Sequence, residues 1–468
     1  MIRAPVLGLL FLAGCGAAAL EPVWMGRSPD GAARVRVLPA ERGERLVLDD
    51  REVGVFAAVA VQHLRWSDGA VVVPVQTELG WHVLVGTTLG PAHDAVAEVR
   101  VVEGGVAYAA LGDEGWRVIA PGFDGPAHES ILAGSLRVER GRVAYVTREG
   151  GAVFAVVDGQ RGPPFRYVDR LELVGKGLSV LYVGYDDDGA RVVVDGVPGP
   201  TLDAVHEVAV ATLSARWAAI VERGGRLELL RDGVPTTLER GASGLVTSAD
   251  GARVAWTEPA GRRVDVRVDG ARVGRYGEVR ELGFVPTSLA PIFVATDERG
   301  ERVVHAGRAG PRFDAVDGPV VNAAGHWAYV GRRRVGSAVV VDGRPVFRGE
   351  WADAPSLATG SARWACVVRQ AGRRYVLTPD GRTPIAQPFV DTLVLDPVGA
   401  HWAIAVADRE TRALSVLVDG APAADLAMDE LATQLGAGAD GFEAARAIVA
   451  SELARAAEEE LASEVAPE

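Results

Sequence analysis

The chain has 468 residues, a formal net charge of −13, 48% hydrophobic residues and 57 glycines. That length is too great for one ordinary compact core unless it is built from repeats, and the hydrophobic content excludes a disordered chain. The acidic balance argues against a nucleic-acid partner, because binding phosphates needs a basic face.

Residues 1–14 read as a secretory signal, with Arg3 as the charged start and the stretch from Ala4 to Ala13 as the apolar segment. The segment is too short to span a bilayer as a mature helix. It ends in Leu12-Ala13-Gly14-Cys15, which resembles the lipobox of bacterial lipoproteins. The resemblance implies cleavage before Cys15, diacylation of its thiol and acylation of the new amine. Several acyl chains anchor stably where a single chain is marginal. On this reading residues 15–21 form a lipidated linker, the membrane is a partner, and the location is the bacterial envelope. Gly16, in place of aspartate, fits outer-membrane sorting. The alternative is an ordinary signal peptide in which Cys15 is incidental. Once Cys15 is lipidated, Cys366 has no internal disulfide partner, and its apolar run Arg363-Trp364-Ala365-Cys366-Val367-Val368 reads as a strand with a packed thiol.

Beyond the linker the chain is periodic. Asp-Gly pairs follow β-rich runs at Asp158, Asp195, Asp232, Asp269, Asp342, Asp380 and Asp419, and Asp50, Gly86, Gly122 and Gly307 fill the gaps, all at intervals of about thirty-seven residues. Within one period, residues 208–212 read as a first strand, 216–221 as a second, 227–230 as a third and 234–238 as a fourth. Asp232-Gly233 reads as a hairpin turn that needs positive φ. Four short strands per period is the signature of a propeller blade, and each small sheet needs its neighbours to bury both faces.

Two recurring elements carry a family resemblance. Ser28-Pro29-Asp30-Gly31, Ser67-Asp68-Gly69 and Ser248-Ala249-Asp250-Gly251 resemble the Ser-Pro-Asp-Gly turn of TolB-like, WD-type bacterial propellers. A second element, Gly-Pro-x-x-Asp-Ala-Val, begins at Gly90, Gly199 and Gly310. The fold expected is all-β: a β-propeller of about eleven four-stranded repeats. Single rings close with four to eight blades, so two tandem rings are expected over one large ring: repeats 1–5 in 22–205 and repeats 6–11 in 206–425. Trp217, Trp327, Trp364 and Trp402 mark the second strand only in later repeats, consistent with two sub-arrays.

Residues 426–468 form an acidic tail, with Asp440 capping a short helix over 441–464. Phe442, Ala445, Val449, Leu453 and Ala456 share one face of that helix, which either docks on the propeller's side or recognises a partner.

Motifs for chemistry fail on context. Gly436-Ala437-Gly438-Ala439-Asp440-Gly441 matches a dinucleotide fingerprint, but no strand precedes it, so no cofactor is expected. Asp186-Asp187-Asp188-Gly189 suggests calcium, yet Gly184 stands where an EF-hand needs its first carboxylate; a solvated hairpin turn fits better. The histidines at 63, 82, 93, 128, 206, 305, 326 and 401 lack zinc-ligand spacing, and His93 and His128 occupy similar places in adjacent repeats. There is no Gly-x-Ser-x-Gly elbow. The Ser-x-Asp-Gly turns differ from the sialidase Asp-box. Asn322, the sole asparagine, makes a calcium-lactonase arrangement improbable, and Lys176, the sole lysine, is the one Schiff-base candidate. No catalytic, metal or cofactor site is therefore assigned, and Cys15 is the one site residue. The function expected is a lipid-anchored, non-catalytic propeller that binds a protein or envelope polymer as a scaffold, as TolB-like and BamB-like envelope propellers do. The alternative is a propeller hydrolase or lyase acting on an envelope polysaccharide or peptide, its acidic groups converging from separate blades.

Overall fold

Each period folds into one small antiparallel sheet whose strands lie side by side in chain order. The computed structural model describes residues 23–27, 33–67, 70–386, 389–396, 398–407 and 414–422. Cys15, the signal segment and the tail with its expected helix lie outside these residues. Eleven sheets are described. They are sheet 1 (24–56), sheet 2 (58–89), sheet 3 (95–124), sheet 4 (130–161), sheet 5 (167–198), sheet 6 (204–237), sheet 7 (243–276), sheet 8 (278–309), sheet 9 (315–349), sheet 10 (351–385) and sheet 11 (389–422). In sheets 2, 4 and 10 the first strand is split into two pieces that both pair with the second. This is the β-propeller blade repeat that the periodicity predicts.

Second strands are buried on both faces, as in Trp217–Arg223, where the first five residues are all buried. A strand sandwiched between two sheets needs apolar side chains on both sides, which accounts for its uninterrupted hydrophobic run. Every consecutive pair of sheets, from 1 and 2 through 10 and 11, shares its own apolar cluster. Sheets 5 and 6 are joined in the same way, Val174, Leu181 and Val183 meeting Val205, Trp217 and Val221. Each fully buried Val, Leu or Ile contributes about 1.5–3 kcal/mol.

The four strands of sheet 6 are Ala204–Val210, Trp217–Arg223, Arg226–Arg231 and Val234–Thr237. The first differs from the expected 208–212. Its pairing shifts register between Val205 and Glu207, so His206 forms a bulge that breaks the alternation a strand is recognised by. Beyond Val210 the chain turns, the Ala211 N–H bonding to the Arg216 carbonyl at 3.0 Å.

Six of the seven Asp-Gly pairs form the expected turn. Asp158, Asp195, Asp232, Asp269, Asp342 and Asp419 sit at φ of 47–49°, each followed by glycine at 78–89°. The aspartate does more than tolerate that backbone. Its Oδ1 accepts the N–H of a residue near the start of the second strand: Val143, Val180, Trp217, Val254, Trp327 or Trp402, at 2.9–3.0 Å. Its own N–H returns a bond to the same residue's carbonyl. The turn between strands three and four is thereby clamped to strand two.

Two positions depart from the expected register. In sheet 1 the clamp is Asp49, not Asp50: Asp49 has φ 48° and its Oδ1 accepts the Arg34 N–H at 2.6 Å, whereas Asp50 occupies the glycine place. In sheet 10 the turn residues between paired Thr378 and Gly381 are Pro379 and Asp380. Proline cannot adopt positive φ, so Asp380 moves to the second turn position and Gly381 takes φ 157°.

Candidate functional site

Most histidines prove to be parts of the scaffold. His93 and His128 bridge to Trp81 and Trp116, and the same repeat position holds Phe165, Leu202 and Phe313. The rings at this position each meet a tyrosine of the next sheet edge-on. The centroid distances are 5.8 Å for His93 and Tyr108, 5.4 Å for His128 and Tyr145, 6.3 Å for Phe165 and Tyr182, and 6.2 Å for Phe313 and Tyr329. Burial lowers the His93 pKa, as a core ring requires. His128 Nδ1 lies 2.5 Å from Glu149 Oε1 and its Nε2 lies 2.9 Å from the Tyr145 hydroxyl. His82 spans the Gly90 carbonyl and the Thr77 hydroxyl, each at 2.9 Å. His305 packs on Trp327 at 5.2 Å, and burial lowers its pKa too.

His326 and His401 serve the turn clamps. Their Nδ1 atoms bond the second oxygens of Asp342 and Asp419 at 2.8 and 2.7 Å. In other sheets Ser179 and Arg253 fill that role toward Asp195 and Asp269. His63 ends a short 3₁₀ turn, Val61–His63.

The remaining candidates are likewise drawn into turns and packing. Asp187 and Asp188 form the hairpin between strands two and three of sheet 5; Asp186 Oδ1 accepts the Asp188 N–H at 2.9 Å and Asp187 pairs with Arg166 at 2.7 Å. No group of three His, Cys, Asp or Glu side chains among the described residues is placed to hold a metal ion. Asn322 Oδ1 accepts the His326 N–H, and its amide donates to the carbonyls of Ala358 and Ser361 in the next sheet. In the turn at Ser248, the hydroxyl donates to Asp250 Oδ1 at 2.6 Å and accepts the Arg253 N–H at 2.9 Å. The Ser248 hydroxyl, with the Ala252 N–H, holds the Asp250 carboxyl below its usual pKa. Lys176 is exposed in a turn at φ 59°, without the desolvation that makes a lysine amine nucleophilic. Cys366 is fully buried, opposite Leu377 as Tyr329 is opposite Val340. Its thiol donates to the Asp353 carbonyl, and burial pushes its pKa up, which makes it inert.

A feature the sequence concealed lies in the first strands. A bulge recurs between Ala97 and Arg100, Asp169 and Glu172, Val205 and Glu207, Arg280 and Gly283, and Asp317 and Val320. Carboxylates at these bulges reach across to the next sheet. Glu98 accepts the Gly134 N–H, and Glu207 accepts those of Gly244 and Leu245 at 3.0 and 2.6 Å. The only sequence signal is an acidic residue where strand alternation lapses.

A group of polar side chains with an open cavity lies between sheets 6 and 7. A cavity of about 390 Å³ is lined by His206, Glu207, Glu222, Arg240 and Ser243 among others. His206 Nε2 stands 3.6 Å from Glu222 Oε2, with side chains 46% and 35% exposed. That separation exceeds a hydrogen bond, and proton transfer needs about 3 Å. Both Glu207 oxygens are occupied by the ties to sheet 7. The cavity offers a charged, solvent-open place for polar contacts, and the protein is of the multi-bladed β-propeller class.

No family model and no curated protein sequence matches the chain. Solved structures similar to it include a eukaryotic initiation factor at 12% identity and a TM-score of 0.33, covering 68% of this chain and 94% of that one. The β-propeller domain of Cps50 (Swd1) from Myceliophteria thermophila is 13% identical with a TM-score of 0.24, covering 62% and 98%. TolB from Acinetobacter baumannii is 12% identical with a TM-score of 0.23, covering 62% and 79%. Likeness at this level says nothing about ligand or activity.

Proposed function

We propose that the chain is a lipid-anchored, non-catalytic β-propeller of the bacterial cell envelope, acting as a scaffold that binds a protein or an envelope polymer. The observation that carries the non-catalytic half is the use made of the titratable side chains. The turn aspartates, Glu98, Glu207, His128, His326 and His401 all hold the scaffold together through short bonds. Such groups are fixed by the repeat, which leaves the loops at the sheet ends free to vary as a binding surface. The anchor rests on Leu12-Ala13-Gly14-Cys15 alone.

Among the described residues, the His206–Glu222 cavity is the place where the reading as a hydrolase or lyase is tested. Two experiments divide the readings. Crosslinking of the intact protein in membranes should capture a partner, and Cys15→Ala should abolish both fatty-acid labelling and membrane association. Equal labelling of the variant would remove the anchor. Turnover of a glycoside, ester or peptide substrate that His206→Ala or Glu222→Gln abolishes would replace the scaffold with an enzyme.

A further inference from the structure

A cleft of about 580 Å³ lies along sheet 10, lined by Arg369, Arg373, Arg374, Gly372, Pro384 and Ile385 among others. Arg374 pairs directly across from Arg369 on one side and Ile385 on the other, so the three share a face. Ile385 belongs to the apolar cluster shared with sheet 11, which identifies that face as the one turned toward sheet 11.

The repeat position that Arg374 occupies holds an apolar residue in most sheets and a carboxylate in two. The third-strand residue opposite the end of the second strand is Glu44 in sheet 1, opposite Pro39, and Glu301 in sheet 8, opposite Thr296. In sheet 10 it is Arg374. Glu44 Oε2 accepts the N–H of Val59, in the first strand of the following sheet, at 2.6 Å. Glu301 Oε2 accepts the corresponding Val316 N–H at 2.7 Å and an Arg280 guanidinium N–H at 2.8 Å. Donors converge here, and in sheets 1 and 8 the chain supplies the carboxylate that satisfies them. Sheet 10 supplies a third guanidinium in its place.

The arginines are short of acceptors. Arg369 is held by Glu350 at 2.9 Å, and the same carboxylate accepts the Gly372 N–H at 3.1 Å. Neither Arg373 nor Arg374 has an ion-pair partner among the described residues. Arg374 Nη1 is shielded from solvent and bonds to nothing among the described residues. A buried guanidinium N–H without an acceptor is costly, and an anion in the cleft would satisfy it.

We propose that this cleft binds a carboxylate-bearing ligand, whose oxygens occupy the place that Glu44 and Glu301 fill within sheets 1 and 8, held by Arg374 on the face and reached by Arg373 from the hairpin rim of the cleft. The planar donor fork of arginine matches a carboxylate in two parallel bonds. The site stands independently of the envelope reading above.

The test is calorimetric titration of the full-length protein in detergent, at low ionic strength, with citrate as the probe and inorganic phosphate as a second. Citrate should bind one site per chain. Arg373→Ala, in an exposed hairpin, should weaken it about tenfold, the scale of one charge-assisted contact. Arg374→Glu restores the carboxylate of sheets 1 and 8 and should abolish citrate binding while the protein remains folded by circular dichroism. Should that variant fail to fold, the Arg373→Ala result decides. Citrate affinity unchanged in Arg373→Ala, or no citrate binding at all, overturns the proposal. Phosphate binding without citrate binding overturns the choice of carboxylate.

Discussion

The turn clamp makes a graded prediction at Asp195. Its backbone sits at φ 48°, its Oδ1 accepts the Val180 N–H at 2.9 Å, and its Oδ2 accepts the Ser179 hydroxyl at 2.7 Å. Val180 is fully buried, so its N–H has no access to water when that acceptor is removed. Asp195→Ala imposes two penalties: a Cβ in left-handed backbone without a local hydrogen bond, about 1–2 kcal/mol, and an unsatisfied buried donor, about 1–3 kcal/mol. The expected loss is roughly 3 kcal/mol. Asp195→Gly keeps the backbone free and loses only the bonds, so it should cost about 1–3 kcal/mol, less than Asp195→Ala by the backbone penalty. Asp195→Asn keeps an acceptor and a side chain that tolerates the left-handed region, and should cost under about 1 kcal/mol. A chain of many repeats need not unfold in one step, so the local readout is hydrogen exchange at the Val180 amide, with thermal melting as support. Protection should fall in the order Asn, Gly, Ala. Three variants that exchange alike would refute the clamp as a two-part device.

Two further substitutions probe contacts between sheets. The Phe165 ring lies over Gly184, where an added Cβ would come within 2.4 Å of it, so Gly184→Ala should cost about 1–3 kcal/mol and Phe165→Leu should recover part of that in a double variant; a melting curve unchanged by Gly184→Ala would show that the ring can move aside. Burial works against the charge of Glu301, but Arg280 and the Val316 N–H outweigh it and hold its carboxyl below the usual range. Its contribution is therefore complete above the unfolded value of about 4.3 and is lost as pH falls through the lower folded value. The stability difference between the protein and Glu301→Gln should hold steady above about pH 4.3 and close below it, and a difference that persists unchanged through that acid range would remove the carboxylate's role.

What the sequence by itself determined is local in the chain. The blade period, the strands of each repeat and the Asp-Gly turns were legible because alternation and positive φ are demands on neighbouring residues. The Gly-Pro-x-x-Asp-Ala-Val element was legible as a recurrence, and the structure shows why it recurs: His93, Leu202 and Phe313, all within it, fill the same place between sheets. Where local rules met a competing constraint, the reading slipped by a residue or a strand end, at Asp49, at Pro379 and at the His206 bulge. What only the tertiary structure decided joins one sheet to the next. The Glu207 tie reaches Gly244, 37 residues on, and Asn322 reaches Ala358 across 36. Phe165 finds its glycine on the following sheet, and Arg374 acquires meaning only beside Glu44 and Glu301 at the same repeat position. The Glu207 and Asn322 ties span about one period in the chain yet are in contact in space, because each four-stranded sheet stacks on the face of the next.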